Sequence, residues 1–113
     1  MLNISGKNIE LTRGDTGYVD FVPINADKTE YTIGEGDKVY FRAKAETVLE
    51  KQCVAEVGSN IATVCFTPAD TIDLPFGEYP YEVEIVTAND EHFTFIAGSY
   101  FIVTFEVEEH ENA

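Results

Sequence analysis

Residues 78–86, EYPYEVEIV, alternate between apolar side chains and side chains that are acidic or proline. Successive side chains of a β-strand point to opposite faces, so this pattern predicts a strand with one buried face and one wetter face. The buried phase comprises Tyr79, Tyr81, Val83 and Ile85, and the wetter phase comprises Glu78, Pro80, Glu82 and Glu84. Alternation of this kind is typical of antiparallel sheets.

Two further segments, residues 38–45 and 99–108, repeat the same alternation. One register should therefore bury the apolar phases of all three strands together. The predicted core contains Val39, Phe41, Tyr81, Val83, Ile85, Val103 and Phe105.

Weaker strand patterns fill much of the remaining chain. They cover residues 8–12, 18–24, 48–57, 61–67 and 92–97. Gly58-Ser59-Asn60 predicts a hairpin loop between two of them, and Gly98 predicts a bulge or bend before the last strand. The one helical candidate is a short turn in TPADTID, residues 67–73, where proline follows a capping residue.

These elements predict an all-β fold, an antiparallel β-sandwich that is immunoglobulin-like or related, with seven to eight strands and one short helical turn. A Cys–Trp–Cys core is missing from the sequence, which argues against an antibody-type domain. The 113 residues suit one domain. We expect it to span residues 1–107, followed by an acidic, frayed tail at 108–113.

The two cysteines, Cys53 and Cys65, fall in the two strands of the predicted hairpin. If the loop places Val57 opposite Ile61, the same register places the cysteines directly opposite each other. We expect neighbouring but reduced thiols, because a disulfide needs closer Cβ atoms and an oxidising compartment. A shift of one residue would break this pairing, and Val54, Val64 and Phe66 form the competing phase for the core.

The formal net charge is −14, from 21 acidic and 7 basic residues. Such a field repels phosphate backbones and anionic lipid surfaces, so we expect neither nucleic acid nor a membrane as a partner. The sequence starts without an apolar signal-peptide pattern and contains no apolar run long enough to span a bilayer. The expected location is the cytoplasm, or a particle assembled in the cytoplasm.

No catalytic or metal-binding motif emerges from the residue types. His92 and His110 have no nucleophile motif beside them, and together with two cysteines they do not match zinc-ligand spacing. Two turns, Asn25–Glu30 and Asn89–Glu91, carry oxygen ligands that could hold calcium, although turn stabilisation is the simpler interpretation. We therefore expect no enzyme activity, no cofactor and no dedicated metal site.

Two glycine-containing motifs have ordinary structural explanations. Arg13-Gly14-Asp15 spells an adhesion tripeptide, but Gly-Asp before a strand is common turn chemistry. Residues 34–37, GEGD, lack the lysine and the following helix of a phosphate-binding loop.

Tyr40 and Tyr100 fall on the wetter phase of their strands, unlike most of the aromatic residues. Tyrosine is enriched at protein interfaces. These two residues are the predicted partner surface.

Five short motifs, each containing glycine or proline, follow one another along the chain. They are RGDT at 13–16, GDKVYF at 36–41, TPADT at 67–71, GEYPYEV at 77–83 and GSYFIV at 98–103. In this order they resemble the small β-sandwich domains encoded by tailed phages and prophages of Gram-positive bacteria, similar to the N-terminal domain of the baseplate upper protein of lactococcal phages. One departure is Asn89-Asp90-Glu91, where such domains often carry an Asp-Gly turn.

The resemblance implies a non-catalytic structural or interaction protein of a phage or prophage particle, in the tail or baseplate. Its partners would be other tail or baseplate proteins, or further copies of itself. Two alternatives stay open: a carbohydrate-binding sandwich that uses exposed tyrosines, and an acidic DNA mimic that blocks a DNA-binding protein.

Overall fold

The computed structural model describes residues 2–5, 7–44 and 48–105, which fold into two β-sheets packed face to face. The strands are β1 Leu2–Ser5, β2 Asn8–Thr12, β3 Gly17–Phe21, β4 Lys38–Lys44, β5 Val48–Gln52, β6 Val54–Ala55, β7 Ala62–Phe66, β8 Gly77–Val86 and β9 His92–Thr104. A single helical turn, α1 Pro68–Thr71, lies between β7 and β8. The predicted all-β, sandwich-type fold and its short helical turn are confirmed.

The larger sheet has six strands in the order β1-β2-β9-β8-β4-β5, and the smaller has three in the order β3-β7-β6. All strand pairs are antiparallel except β2 and β9, which run parallel from Ile9 opposite Phe101 to Thr12 opposite Thr104. The purely antiparallel expectation was wrong at this one pair. Two strands distant in sequence meet here, and alternation within either strand does not encode their relative direction.

The described residues form nine strands, against the seven to eight expected. The expected strand 48–57 divides at Cys53, where the chain leaves the larger sheet for the smaller one. The segments 92–97 and 99–108 were expected as two strands, but residues 92–104 form one continuous strand, β9. This strand passes through Gly98, which lies in the left-handed region with φ 76°. Leu2–Ser5 is an additional strand that the sequence analysis did not predict.

Aromatic rings from both sheets meet at the centre of the core. Phe66 on β7 packs edge-on against Phe41 on β4, with ring centroids 5.1 Å apart, and stacks on Phe101 of β9 at 5.0 Å. Tyr81 on β8 completes the cluster, 5.1 Å from Phe41. All four side chains are buried. The predicted core positions Val39, Phe41, Tyr81, Val83, Ile85 and Val103 are confirmed as buried.

Phe105 is the exception, and its prediction as a core residue was wrong. Its side chain is 64% exposed. It follows the end of β9 at Thr104 and lies past Val103, the last β9 residue paired with β8. There it packs against Phe76, another exposed ring, at 5.5 Å. The alternation continues into Phe105, but the core ends before it. Residues 106–113, including the expected tail, lie outside the described residues.

The cysteine register was also predicted wrongly. Val54 pairs with Thr63 and Ala55 with Ala62, one residue away from the expected pairing. Cys53 is buried at the crossover between the sheets, where its N–H donates to the Val39 carbonyl at 2.8 Å. Cys65 belongs to the opposite, partly exposed phase of β7. Both thiols are free, as expected, and burial raises the pKa of Cys53 to about 12.

Truncation of Phe41 should distinguish the central core from the exposed end of β9. We expect Phe41→Ala to lower the free energy of unfolding by about 3–5 kcal/mol, because it leaves a cavity under three aromatic rings. The matched change Phe105→Ala should cost less than about 1 kcal/mol, because that ring is largely in water. Urea denaturation of both variants tests this, and equal losses would contradict the burial described here.

Candidate interaction surface

The outer face of the larger sheet carries a charge network centred on Arg42 of β4. Its guanidinium donates to Glu50 of β5 at 2.5 Å and to Glu84 of β8 at 2.8 Å. A third carboxylate, Glu82, lies at 4.0 Å. Hydrogen bonding to Arg42 is the main reason that the pKa of Glu84 lies below its ordinary value. The network ties three adjacent strands together and neutralises part of the acidic surface.

Tyr40 and Tyr100 both lie on this outer face, but the structure does not bring them together. Tyr40 pairs with Glu84, and Tyr100 pairs with Pro80. These partners are four residues apart on β8, a distance of about 13 Å along a strand. Tyr40 is partly buried with the Arg42 guanidinium 5.2 Å from its ring centroid, whereas Tyr100 is 43% exposed. Two separated tyrosines do not form one aromatic platform, and their role as a partner surface stays a prediction.

The first calcium candidate is engaged in turn hydrogen bonds. Asp27 Oδ1 accepts from the Thr29 N–H at 3.1 Å and from the Thr29 hydroxyl at 2.6 Å. Asn25 donates its side-chain amide to the Thr29 hydroxyl, and Glu30 accepts from Asn60. These bonds fit the turn-stabilising interpretation of this segment.

The second candidate turn connects β8 to β9. Thr87 N–H donates to the Glu91 carbonyl at 2.9 Å, and Asp90 adopts φ 63°. His92 follows, exposed, with one ring nitrogen 3.2 Å from Asp90 and the other 3.3 Å from Glu84. These carboxylates, Asp90 first, raise the pKa of His92. Across the described part of the chain, no three His, Cys, Asp or Glu side chains are grouped to hold a metal ion. His110 lies outside the described residues.

Hydrogen bonds hold the turns that contain the two glycine motifs, residues 13–15 and 34–37. Gly14 N–H donates to the buried Thr71 hydroxyl at 2.8 Å, which fixes the 13–15 turn against α1, and the Arg13 guanidinium lies 4.2 Å over the Phe76 ring. Asp37 Oδ2 accepts from the Gly34 N–H at 2.7 Å and from the Tyr31 hydroxyl at 2.5 Å. The hydrogen bond that the Tyr31 hydroxyl donates to Asp37 raises the pKa of Tyr31 to about 12.

The sequence analysis missed an open strand edge. Only the second half of β9 pairs with β2, beginning at Phe101, and the Tyr100 N–H is taken by the Asn8 side chain at 3.0 Å. On one side, four of the residues 92–97 pair with β8, namely His92, Phe93, Thr94 and Ile96. On the other side, no described strand pairs with this stretch. The β-forming residues were visible in the sequence, but the end of the β2 pairing was not.

Two grooves flank this open edge, between β9 and the chain segment 19–26. The larger, of about 420 Å³, is lined mainly by apolar side chains from the 23–31 loop, β8 and β9, and we call it the 23–31 groove. The smaller, of about 190 Å³, lies toward Lys7 and is lined by Ile9, Val19, Phe21, Tyr81 and Ile96. Phe93, 54% exposed, and Ile24, 42% exposed, border the larger groove. Apolar side chains are thus accessible beside unpaired backbone.

Comparison of the chain with protein families, curated proteins and solved structures found no match. The resemblance to phage sandwich domains therefore stays a prediction. In the part of the chain that the structure describes, no helix is long and apolar enough to cross a membrane.

The charge network predicts a pH-dependent contribution of Glu84 to stability. Because the folded-state pKa of Glu84 is lowered, its contribution is present above the ordinary carboxyl pKa of 4.5 and is lost as the pH falls through the folded-state value. Glu84→Gln should cost about 1 kcal/mol at pH 7 and progressively less below pH 4.5. Denaturation across pH measures this. Glu78→Gln, an exposed position on the same face, is the control. A pH-independent difference for Glu84→Gln would contradict the assigned ion pair.

Proposed function

We propose that this chain is a non-catalytic structural and interaction protein of a phage or prophage particle, in the tail or baseplate. Its mechanism is docking through sheet edges and faces. The particle assignment rests on the resemblance of the five motifs. Their glycines and Pro68 lie at the turn before β3, the turn before β4, the start of α1, the start of β8 and the bend in β9, whereas Pro80 lies within β8.

The observation that carries the docking function is the open first half of β9. Proteins normally protect an exposed strand edge with charges, prolines, bulges or a covering element, because unpaired backbone groups invite another chain. Residues 92–94 of β9 precede the bulged part of the strand and pair regularly with β8. Residues 92–97, HFTFIA, contain no carboxylate, lysine, arginine or proline. An apolar edge beside an apolar groove supports an interaction role.

The proposed partners are other tail or baseplate proteins, with self-association as a further mode, and the proposed location is a virion or the cytoplasm. The net charge of −14 disfavours nucleic acid and anionic lipid as partners. No cofactor enters this function.

The two alternative functions receive less support from the geometry. Sugar stacking through Tyr40 and Tyr100 would need the rings to share a platform, and they lie apart on β4 and β9. A DNA mimic would need an acidic face without interspersed cations. The outer face of β4 instead carries Lys38, Arg42 and Lys44 among the glutamates.

Particle association is the direct test. An affinity-tagged chain, expressed in its native host under conditions that induce particle production, should co-sediment with tail proteins in a density gradient and cross-link to them. An unrelated acidic protein with the same tag is the control. Exclusion from particles, combined with tight binding to a glycan, would contradict this function and favour the carbohydrate-binding alternative.

A further inference from the structure

We propose that residues 92–97 of β9 form a strand-addition site for an extended segment of a partner protein that carries alternating apolar residues and a net positive charge. This proposal rests on the proposed docking function, since it names the site and the chemistry of the partner.

The backbone hydrogen-bonding pattern identifies which groups are open. Thr87 N–H donates to the Glu91 carbonyl across the β8–β9 turn. In an antiparallel ladder, bonding direction alternates from residue to residue, so Phe93 faces its partner Ile85 while His92 and Thr94 direct their N–H and C=O groups away from β8. No described strand lies on that side. The groups of His92 and Thr94 therefore form the start of a vacant ladder.

The vacant ladder determines the conformation of the occupant. A row of alternating backbone donors and acceptors is satisfied by another extended chain, which supplies the complementary row at the same spacing. The ladder between β8 and β9 is regular from residue 92 to residue 94 and becomes irregular only beyond it. An added strand would thus begin its pairing beside His92 and Thr94.

The adjacent groove determines what side chains the occupant carries. Alternate residues of an added strand point toward the inner side of the sheet, where the 23–31 groove presents the exposed side chains of Ile24 and Phe93. Burial of Phe93 and Ile24 by apolar residues of the partner would stabilise the complex through the hydrophobic effect. The intervening residues face water and are free to be polar.

The surrounding charges determine the sign of the partner. Acidic residues Asp90 and Glu91 stand at the start of β9, and Asp27 and Glu30 lie in the loop beside the groove. The basic residues here are Lys28 in the loop and His92, whose ring contacts the Asp90 carboxylate. The whole chain carries −14. A basic segment is attracted to this surface, whereas a second copy of the chain would bring its own excess of carboxylates to the same place. Charge complementarity thus favours a basic partner over self-pairing at this edge.

Selection from a random dodecapeptide library displayed on yeast, with the full chain as bait, tests the proposal. Enriched peptides should alternate apolar and polar residues and contain more lysine and arginine than aspartate and glutamate. NMR of the complex should show new protection of the His92 and Thr94 amides.

Three variants provide matched comparisons. Thr94→Pro removes an outward donor without removing a β8–β9 bond, and Phe93→Glu adds a carboxylate at the groove while leaving the backbone unchanged. Each should weaken peptide binding at least about tenfold. Val48→Pro, at the exposed start of β5 on the sheet's opposite edge, should change binding by less than about twofold.

Several results would overturn the assignment. They are enrichment of acidic peptides, failure of any peptide to enrich, a footprint elsewhere on the chain, or equal losses for Val48→Pro and Phe93→Glu. A concentration-dependent dimer that Phe93→Glu converts to monomer would replace the basic partner with a second copy.

If Thr94→Pro and Phe93→Glu enter particles as the unmodified chain does, the particle function stands and this site is wrong. Peptide binding at β9 without particle association would support this site and contradict the particle function.

Discussion

Phe66 is the contact on which the two-sheet arrangement depends. It is the one ring that the smaller sheet contributes to the central cluster, and it packs against Phe41 and Phe101 of the larger sheet at 5.1 and 5.0 Å. Phe41 is on β4 and Phe101 is on β9, and these two strands lie on either side of β8. The Phe66 side chain therefore spans three strands of the opposite sheet. The buried aromatic area fixes how the sheets face each other, since aromatic pairs prefer defined offset or edge-on geometry.

The open edge follows from the unequal size of the sheets. Three strands cannot cover the inner face of six, and the cluster around Phe66 places the smaller sheet over the centre of the larger one. β2 pairs with β9 only from Phe101 onward, so the first half of β9 is an edge of the larger sheet. Phe93 is consequently exposed although it pairs with the buried Ile85. The same geometry that secures the core leaves apolar surface beside unpaired backbone.

Local alternation predicted the strands of 38–45 and 78–86 and six of the seven named core residues, because burial on one face imposes a period of two. It could not predict that Phe105 lies outside the core, since the residues that bury a side chain are distant from it in sequence. The register of Cys53 failed because the chain changes sheets there. Of the candidate surface, the sequence located two tyrosines on the outer face but not the β9 edge, because an edge is defined by where a partner strand ends.

Amide hydrogen exchange on the isolated chain tests the half-paired β9 strand most directly. Exchange reports whether each amide is hydrogen-bonded in the folded state. The amides of His92 and Thr94 should exchange at rates close to those of an unstructured peptide, while those of Phe101 and Val103, which pair with β8 in the covered half, should be strongly protected. Uniform protection along β9 would mean that the edge at residues 92–97 is already covered, and would contradict the docking mechanism.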